Sequence, residues 1–120
     1  MSKDSPVESV DRFSTGPFKI LVRLELSQYL DPVGLERLTV EIDIKTDWTE
    51  QKVLRITLNG VQGTSLRVPQ RNGVRVYLVI DSIRDRQWDG LNYMLESRER
   101  DAEEEISILC ESFTVRTIEQ

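Results

Sequence analysis

The chain has 120 residues, enough for one domain that buries about two-thirds of its unfolded surface, and its 38% hydrophobic and 31% charged content is that of a globular protein, not a disordered one. The formal net charge of -5 disfavours a nucleic-acid or anionic-membrane surface, because phosphate binding depends on clustered lysine and arginine. The absence of histidine and the single cysteine exclude Ser-His-Asp and Cys-His catalysis, His-ligated zinc, intrachain disulfides and cysteine-ligated clusters built from this chain.

Residues 1–17, MSKDSPVESVDRFSTGP, are polar and contain no apolar stretch of the kind that drives secretion. They read as a flexible leader, with residues 18–120 forming one all-β domain of a cytoplasmic protein. The longest aliphatic or aromatic run, Val76 to Ile80, is far too short to span a membrane.

Period-two alternation starts at FKILVRLEL, which places Phe18, Ile20, Val22, Leu24 and Leu26 on one face. DPVGLER follows, with Asp31 as a cap and Pro32 at a first turn position, long enough for one short turn. LTVEIDIK repeats the alternation with Leu38, Val40, Ile42 and Ile44 inward. VLRITLNG sets Leu54, Ile56 and Leu58 on an inner face, and VQGTSLRV supplies a turn at Gly63 and a short strand through Leu66 and Val68. PQRNG is a turn, since Asn72 and Gly73 tolerate the positive φ of tight hairpins. VRVYLVID then runs Val74, Val76, Leu78 and Ile80 inward.

Two phase breaks mark the last third. The apolar residues are Trp88 and then Leu91, Tyr93 and Leu95, so parity flips across Asp89-Gly90; they are Ile106, Ile108 and Cys110 and then Phe113 and Val115, so it flips again across Glu111-Ser112. One inserted residue, a β-bulge, produces such a flip. An antiparallel hairpin pairing Leu95 with Ile106 and Tyr93 with Ile108 brings Leu91 opposite Cys110 and Trp88 opposite Phe113. The fold expected from these patterns is an antiparallel β-sandwich, or a strongly bent sheet, of about seven to eight strands with a C-terminal three-stranded meander.

Five constellations bear on chemistry. Asp81, Asp85 and Asp89 are three carboxylates at four-residue spacing, which read as a loop-end calcium site or as solvated connector residues; Arg84 and Arg86 put positive charge among them and favour the connector. The same carboxylates could serve acid/base hydrolysis, but a small sandwich seldom carries the deep cleft that needs. Arg67, Arg71 and Arg75 form either an anion site or outer-face partners for acids on adjacent strands. Trp48, in the polar stretch KTDWTEQ, is a candidate interface anchor or a cover for the sheet end. Asp101 to Glu105 is a charged loop in which Glu103, Glu104 and Glu105 either face solvent or meet a basic partner. Cys110, in the apolar phase of ISILC, reads as a buried small hydrophobe.

The succession DRQWDGLNYML and ISILCESFTV, with Trp88, Gly90, Cys110 and Phe113, resembles small single-domain bacterial proteins of unknown function, some of which are similar to immunity proteins of polymorphic toxin systems. That resemblance implies a stoichiometric binder with no chemistry and no cofactor of its own. The functional expectation is therefore a non-enzymatic binding protein, of immunity type, that covers a basic protein partner through Trp48, Asp85, Asp89, Glu103, Glu104 and Glu105. A loop-end calcium or small-ligand module is the alternative. A sheet edge that pairs two copies is a further expectation.

Overall fold

A computed structural model describes residues 3–6, 12–16, 18–47, 49, 51–67, 75–83, 91–97 and 105–119. Among them are ten strands: β1 (Lys3–Pro6), β2 (Arg12–Ser14), β3 (Ile20–Leu30), β4 (Glu36–Lys45), β5 (Lys52–Asn59), β6 (Gly63–Arg67), β7 (Leu78–Ser82), β8 (Tyr93–Ser97), β9 (Glu105–Cys110) and β10 (Ser112–Glu119). They form two five-stranded sheets ordered β1-β10-β5-β4-β3 and β2-β7-β8-β9-β6. All pairings are antiparallel. Among the described residues, no helix is long and apolar enough to cross a membrane.

The alternation read from the sequence becomes the core because each sheet turns one face inward. Val40, Ile42 and Ile44 of β4, Leu54, Ile56 and Leu58 of β5, and Phe113 and Val115 of β10 are buried from the first sheet. Leu78 and Ile80 of β7, Tyr93 and Leu95 of β8, and Ile106, Ile108 and Cys110 of β9 meet them from the second. The ring of Phe113 is fully buried and stands edge-on to Tyr93, with centroids 4.9 Å apart and planes at 83°; Phe13 lies 6.3 Å away on its other contact. These rings therefore join both sheets at one point.

The strands β7, β8 and β9 form a three-stranded meander, and β10 then leaves it. The parity flip across Glu111-Ser112 is accordingly not a bulge. After the bend at Glu111, β10 pairs with β5 in the opposite sheet, where Phe113 registers with Leu58 and Val115 with Ile56. A chain that steps from one sheet to the facing one reverses which side is inward, so its apolar parity must invert. Trp88, expected opposite Phe113, and Gly90, expected at the other break, lie outside the described residues.

Within the meander, Tyr93 pairs with Cys110 and Leu95 with Ile108. The expected hairpin is thus displaced by two residues. An even displacement leaves every side chain on its own face, so period-two burial does not distinguish the two registers.

Two further departures arise from backbone pairing that leaves no apolar signature. Within the segment read as a leader, β1 pairs with β10 and β2 with β7, each by a few edge hydrogen bonds. On β3 the register shifts between Leu21 and Arg23, so that Leu21, and not Val22, registers with Ile44 and packs on the core.

Candidate functional site

The β3–β4 hairpin outruns the sheet that carries it. The register of β4 with β5 spans Val40 to Ile44, whereas β3 and β4 remain paired to Leu30 and Glu36. Among the described residues, the backbone bond between β4 and the body that lies nearest the hairpin tip is the Val61 amide donating to the Leu38 carbonyl at 2.9 Å. Beyond that point a two-stranded arm projects, and an isolated two-stranded ribbon is marginal without a brace.

The brace is polar. The Asp31 carboxylate accepts from the amides of Val33 at 3.0 Å and Leu35 at 2.9 Å, closing the turn in which Gly34 takes φ of 87°. Arg37 donates through Nε to Asp31 at 3.1 Å and through Nη1 to Glu111 Oε1 at 2.6 Å. Glu111 is the residue at which the chain changes sheets, so one guanidinium ties the arm's turn to the crossover. The bond from the Leu35 amide, with help from Arg37, holds the Asp31 carboxyl below its usual range. The hydrogen bond to Asp31 and the charge of Glu111 raise the Arg37 pKa. The Glu111 side chain lies over Gly60, where φ is +65° and an added Cβ would stand 2.6 Å from the Glu111 carboxylate.

On this arm inward-facing leucines continue beyond the core. Leu26 registers with Val40 and Leu30 with Glu36, so both leucines face the side on which the core lies, but the second sheet does not reach them. Leu26 is 47% exposed, Leu30 68%, Val33 79%, Leu35 57% and, on the opposite face, Tyr29 44%. A single exposed leucine needs no explanation, whereas five large apolar residues within ten positions of one hairpin form a patch of the kind that marks interaction surfaces. Gln28, Tyr29, Leu30 and Glu36 line a shallow groove of about 400 Å³ beside it.

The outer face of the first sheet carries a row of charge across its strands. By register, Arg23 of β3, Asp43 of β4, Arg55 of β5 and Arg116 of β10 stand side by side. Asp43 is only 3% exposed despite facing outward. Arg55 grips it with two hydrogen bonds, Nε to Oδ1 at 2.7 Å and Nη2 to Oδ2 at 2.9 Å, and Arg23 adds a third at 3.1 Å. Arg23 also donates to Glu41 at 2.7 Å and to Glu25 at 2.6 Å. The bonds to Glu41 and then Glu25 raise the Arg23 pKa, and the bond to Asp43 does the same for Arg55. A polar groove of about 280 Å³, lined by Glu41, Thr57, Thr114 and Arg116, adjoins the row. Arg23 and Arg55 are paired with Glu25, Glu41 and Asp43 at contact distance, so this part of the row stiffens the sheet beneath the arm.

Of the residues singled out from sequence, Trp48, Asp85, Asp89, Glu103 and Glu104 lie outside the described residues, as does Arg71. Glu105 opens β9, is exposed, and registers with Arg67 on the edge strand β6. Arg75 is bridged to Ile20 beside the other sheet. Asp81 lies in β7, in register with Arg12 and Met94. Among the described residues, no group of three or more Asp, Glu or Cys side chains stands where a metal ion could be held. Burial, reinforced by Glu111, pushes the Cys110 thiol up to about 12, as suits a core position and not a nucleophile.

The arm residues Leu26, Tyr29, Leu30, Val33 and Leu35 were not singled out from sequence as a surface. Their signal was present: LSQYLDPVGL keeps its apolar content straight through a turn, where polar residues are the rule. No protein-family model, curated protein or solved structure matches this chain.

Proposed function

We propose that this chain is a non-enzymatic binding protein that covers a basic protein partner, in the manner of an immunity-type inhibitor, and that the β3–β4 arm is its contact element. The observation that carries the reading is the solvent-facing set Leu26, Leu30, Val33 and Leu35 on a hairpin braced by Asp31, Arg37 and Glu111. A braced apolar projection binds at lower ordering cost, because the turn bonds to Asp31 and the Arg37 tie to Glu111 set its backbone before the partner arrives. The formal net charge of -5 supplies the field that speeds encounter with a cationic surface, while buried leucine contacts set the residence time. The lone buried thiol suits a reducing compartment such as the cytoplasm.

The test compares the wild-type chain with Leu30→Asp and Val33→Asp, two substitutions at exposed positions that leave the core intact. The reading expects a basic protein that binds the wild type in a one-to-one complex, binds more weakly as salt rises, and is lost by both variants. A partner held equally by wild type and arm variants, or one whose affinity ignores salt, refutes it.

A further inference from the structure

A second property of the arm lies in its edge, not its face. In the first sheet β3 is the terminal strand, and among the described residues only its first residue, Ile20, is bridged on the open side, to Arg75. Edge strands in monomers are usually blunted by proline, by lysine, by short length or by a mid-strand bulge. None of these protects β3. It is eleven residues long, its sequence ILVRLELSQYL holds no proline and no lysine, and its bulge sits at the start, between Leu21 and Arg23. Its two charged residues, Arg23 and Glu25, are bonded to each other, so neither stands as a lone charge that would repel an approaching strand.

We propose that this edge accepts the same edge of a second copy of the chain, antiparallel and centred on Leu26, so that two five-stranded sheets become one continuous sheet. The occupant and the register both follow from the residues. A two-fold pairing within one sheet must place some residue opposite itself, and Leu26 is the midpoint of the stretch from Val22 to Leu30. In that register the outer face sets Arg23 against Tyr29 and Glu25 against Ser27 of the second copy, and the inner face sets Leu26 against Leu26 and Leu24 against Gln28. No like charges meet, and a cation faces an aromatic ring. Moving the centre one step toward the amino terminus sets Glu25 against Glu25, which is repulsive; moving it one step the other way, to Ser27, shortens the paired stretch. The proposal stands apart from the partner-covering reading, because it concerns strand pairing along the edge and its test needs no partner.

Sedimentation of the full chain over roughly 10–500 µM is expected to show a reversible monomer–dimer equilibrium, as an interface at the small end of the usual range requires. The dimer mass is twice the 13.9 kDa of the chain. Ser27→Lys places a cation opposite Glu25 twice per dimer and should tighten association about 2- to 30-fold, while Ser27→Glu should loosen it by a similar factor. Leu26→Cys should form an intermolecular disulfide on mild oxidation, since residues facing themselves across an antiparallel pair have Cα atoms about 4.5–5.5 Å apart. Gln28→Cys, on the same face, should not, because its symmetry mate is four residues away along the strand, roughly 13 Å. Cys110 is buried and does not compete. A chain that stays monomeric over the whole range overturns the proposal. So does a dimer whose affinity moves in the same direction in both Ser27 variants, or one in which Gln28→Cys crosslinks as readily as Leu26→Cys.

Discussion

Phe113→Ala tests the sheet-to-sheet crossing more sharply than any other single change. The side chain has no exposed surface and fills the point at which β10 of one sheet meets Tyr93 of the other. Truncating a buried phenylalanine costs about 3–5 kcal/mol, of which an edge-on aromatic pair accounts for roughly 0.5–1.5 kcal/mol. Against a total stability of about 5–15 kcal/mol for a domain of this size, that is a large share. At about 4 °C per kcal/mol, the melting temperature should fall by roughly 12–20 °C. Urea unfolding followed by tryptophan fluorescence measures the loss, and an unchanged m value ties it to the native state. Phe113→Leu keeps most of the apolar volume and should lose far less. A double-mutant cycle with Tyr93→Leu should return a coupling of about 0.5–1.5 kcal/mol. A cost below about 1 kcal/mol for Phe113→Ala would mean that the ring is not seated between the sheets, and the account of the parity inversion at Glu111 would fall with it.

Asp43→Ala removes the acceptor of three charge-assisted hydrogen bonds from Arg23 and Arg55 and should cost about 1.5–3 kcal/mol in urea unfolding, with Asp43→Asn losing less because one oxygen remains. Gly60→Ala should cost about 1–2 kcal/mol through its left-handed backbone alone, and should also shift the amide resonances of the arm, since the new methyl displaces Glu111 from Arg37. Asp31 has a folded-state pKa below its unfolded one, so its stabilisation of the turn is present above the ordinary carboxylate range and is lost as pH falls through the lowered value; the Val33 and Leu35 amide resonances should titrate there, at a lower pH than an ordinary aspartate. Cys110 should resist thiol reagents at pH 7–9 in the native chain and react fully in urea, and rapid native labelling would contradict its burial.

How far the sequence carries depends on what each element leaves in its pattern. Val40, Ile42, Ile44, Leu54, Ile56 and Leu58 were legible because two adjacent strands, half-buried on one side, must alternate. The meander of β7, β8 and β9 was legible for the same reason. The strands β1 and β2 were not, since edge pairing through backbone groups demands no apolar side chain. The bulge at Val22 was hidden because Ile20, Leu21 and Val22 are all apolar, and any of them could face inward.

The arm shows the same division in one element. On its core-facing side β3 runs Leu24, Leu26, Gln28 and Leu30, so the apolar phase is broken once and then resumes, and that does not mark where the covering sheet ends; the partial burial of Leu24 and the exposure of Leu30 are decided by β5 and by the second sheet. Phase alone told which residues share a face, for that follows from the backbone's own two-residue repeat. Whether a face meets protein or water, whether a phase break is a bulge or a crossing, and which of two equivalent registers a hairpin adopts all depend on the positions of strands distant in the chain, and only three-dimensional packing supplies them.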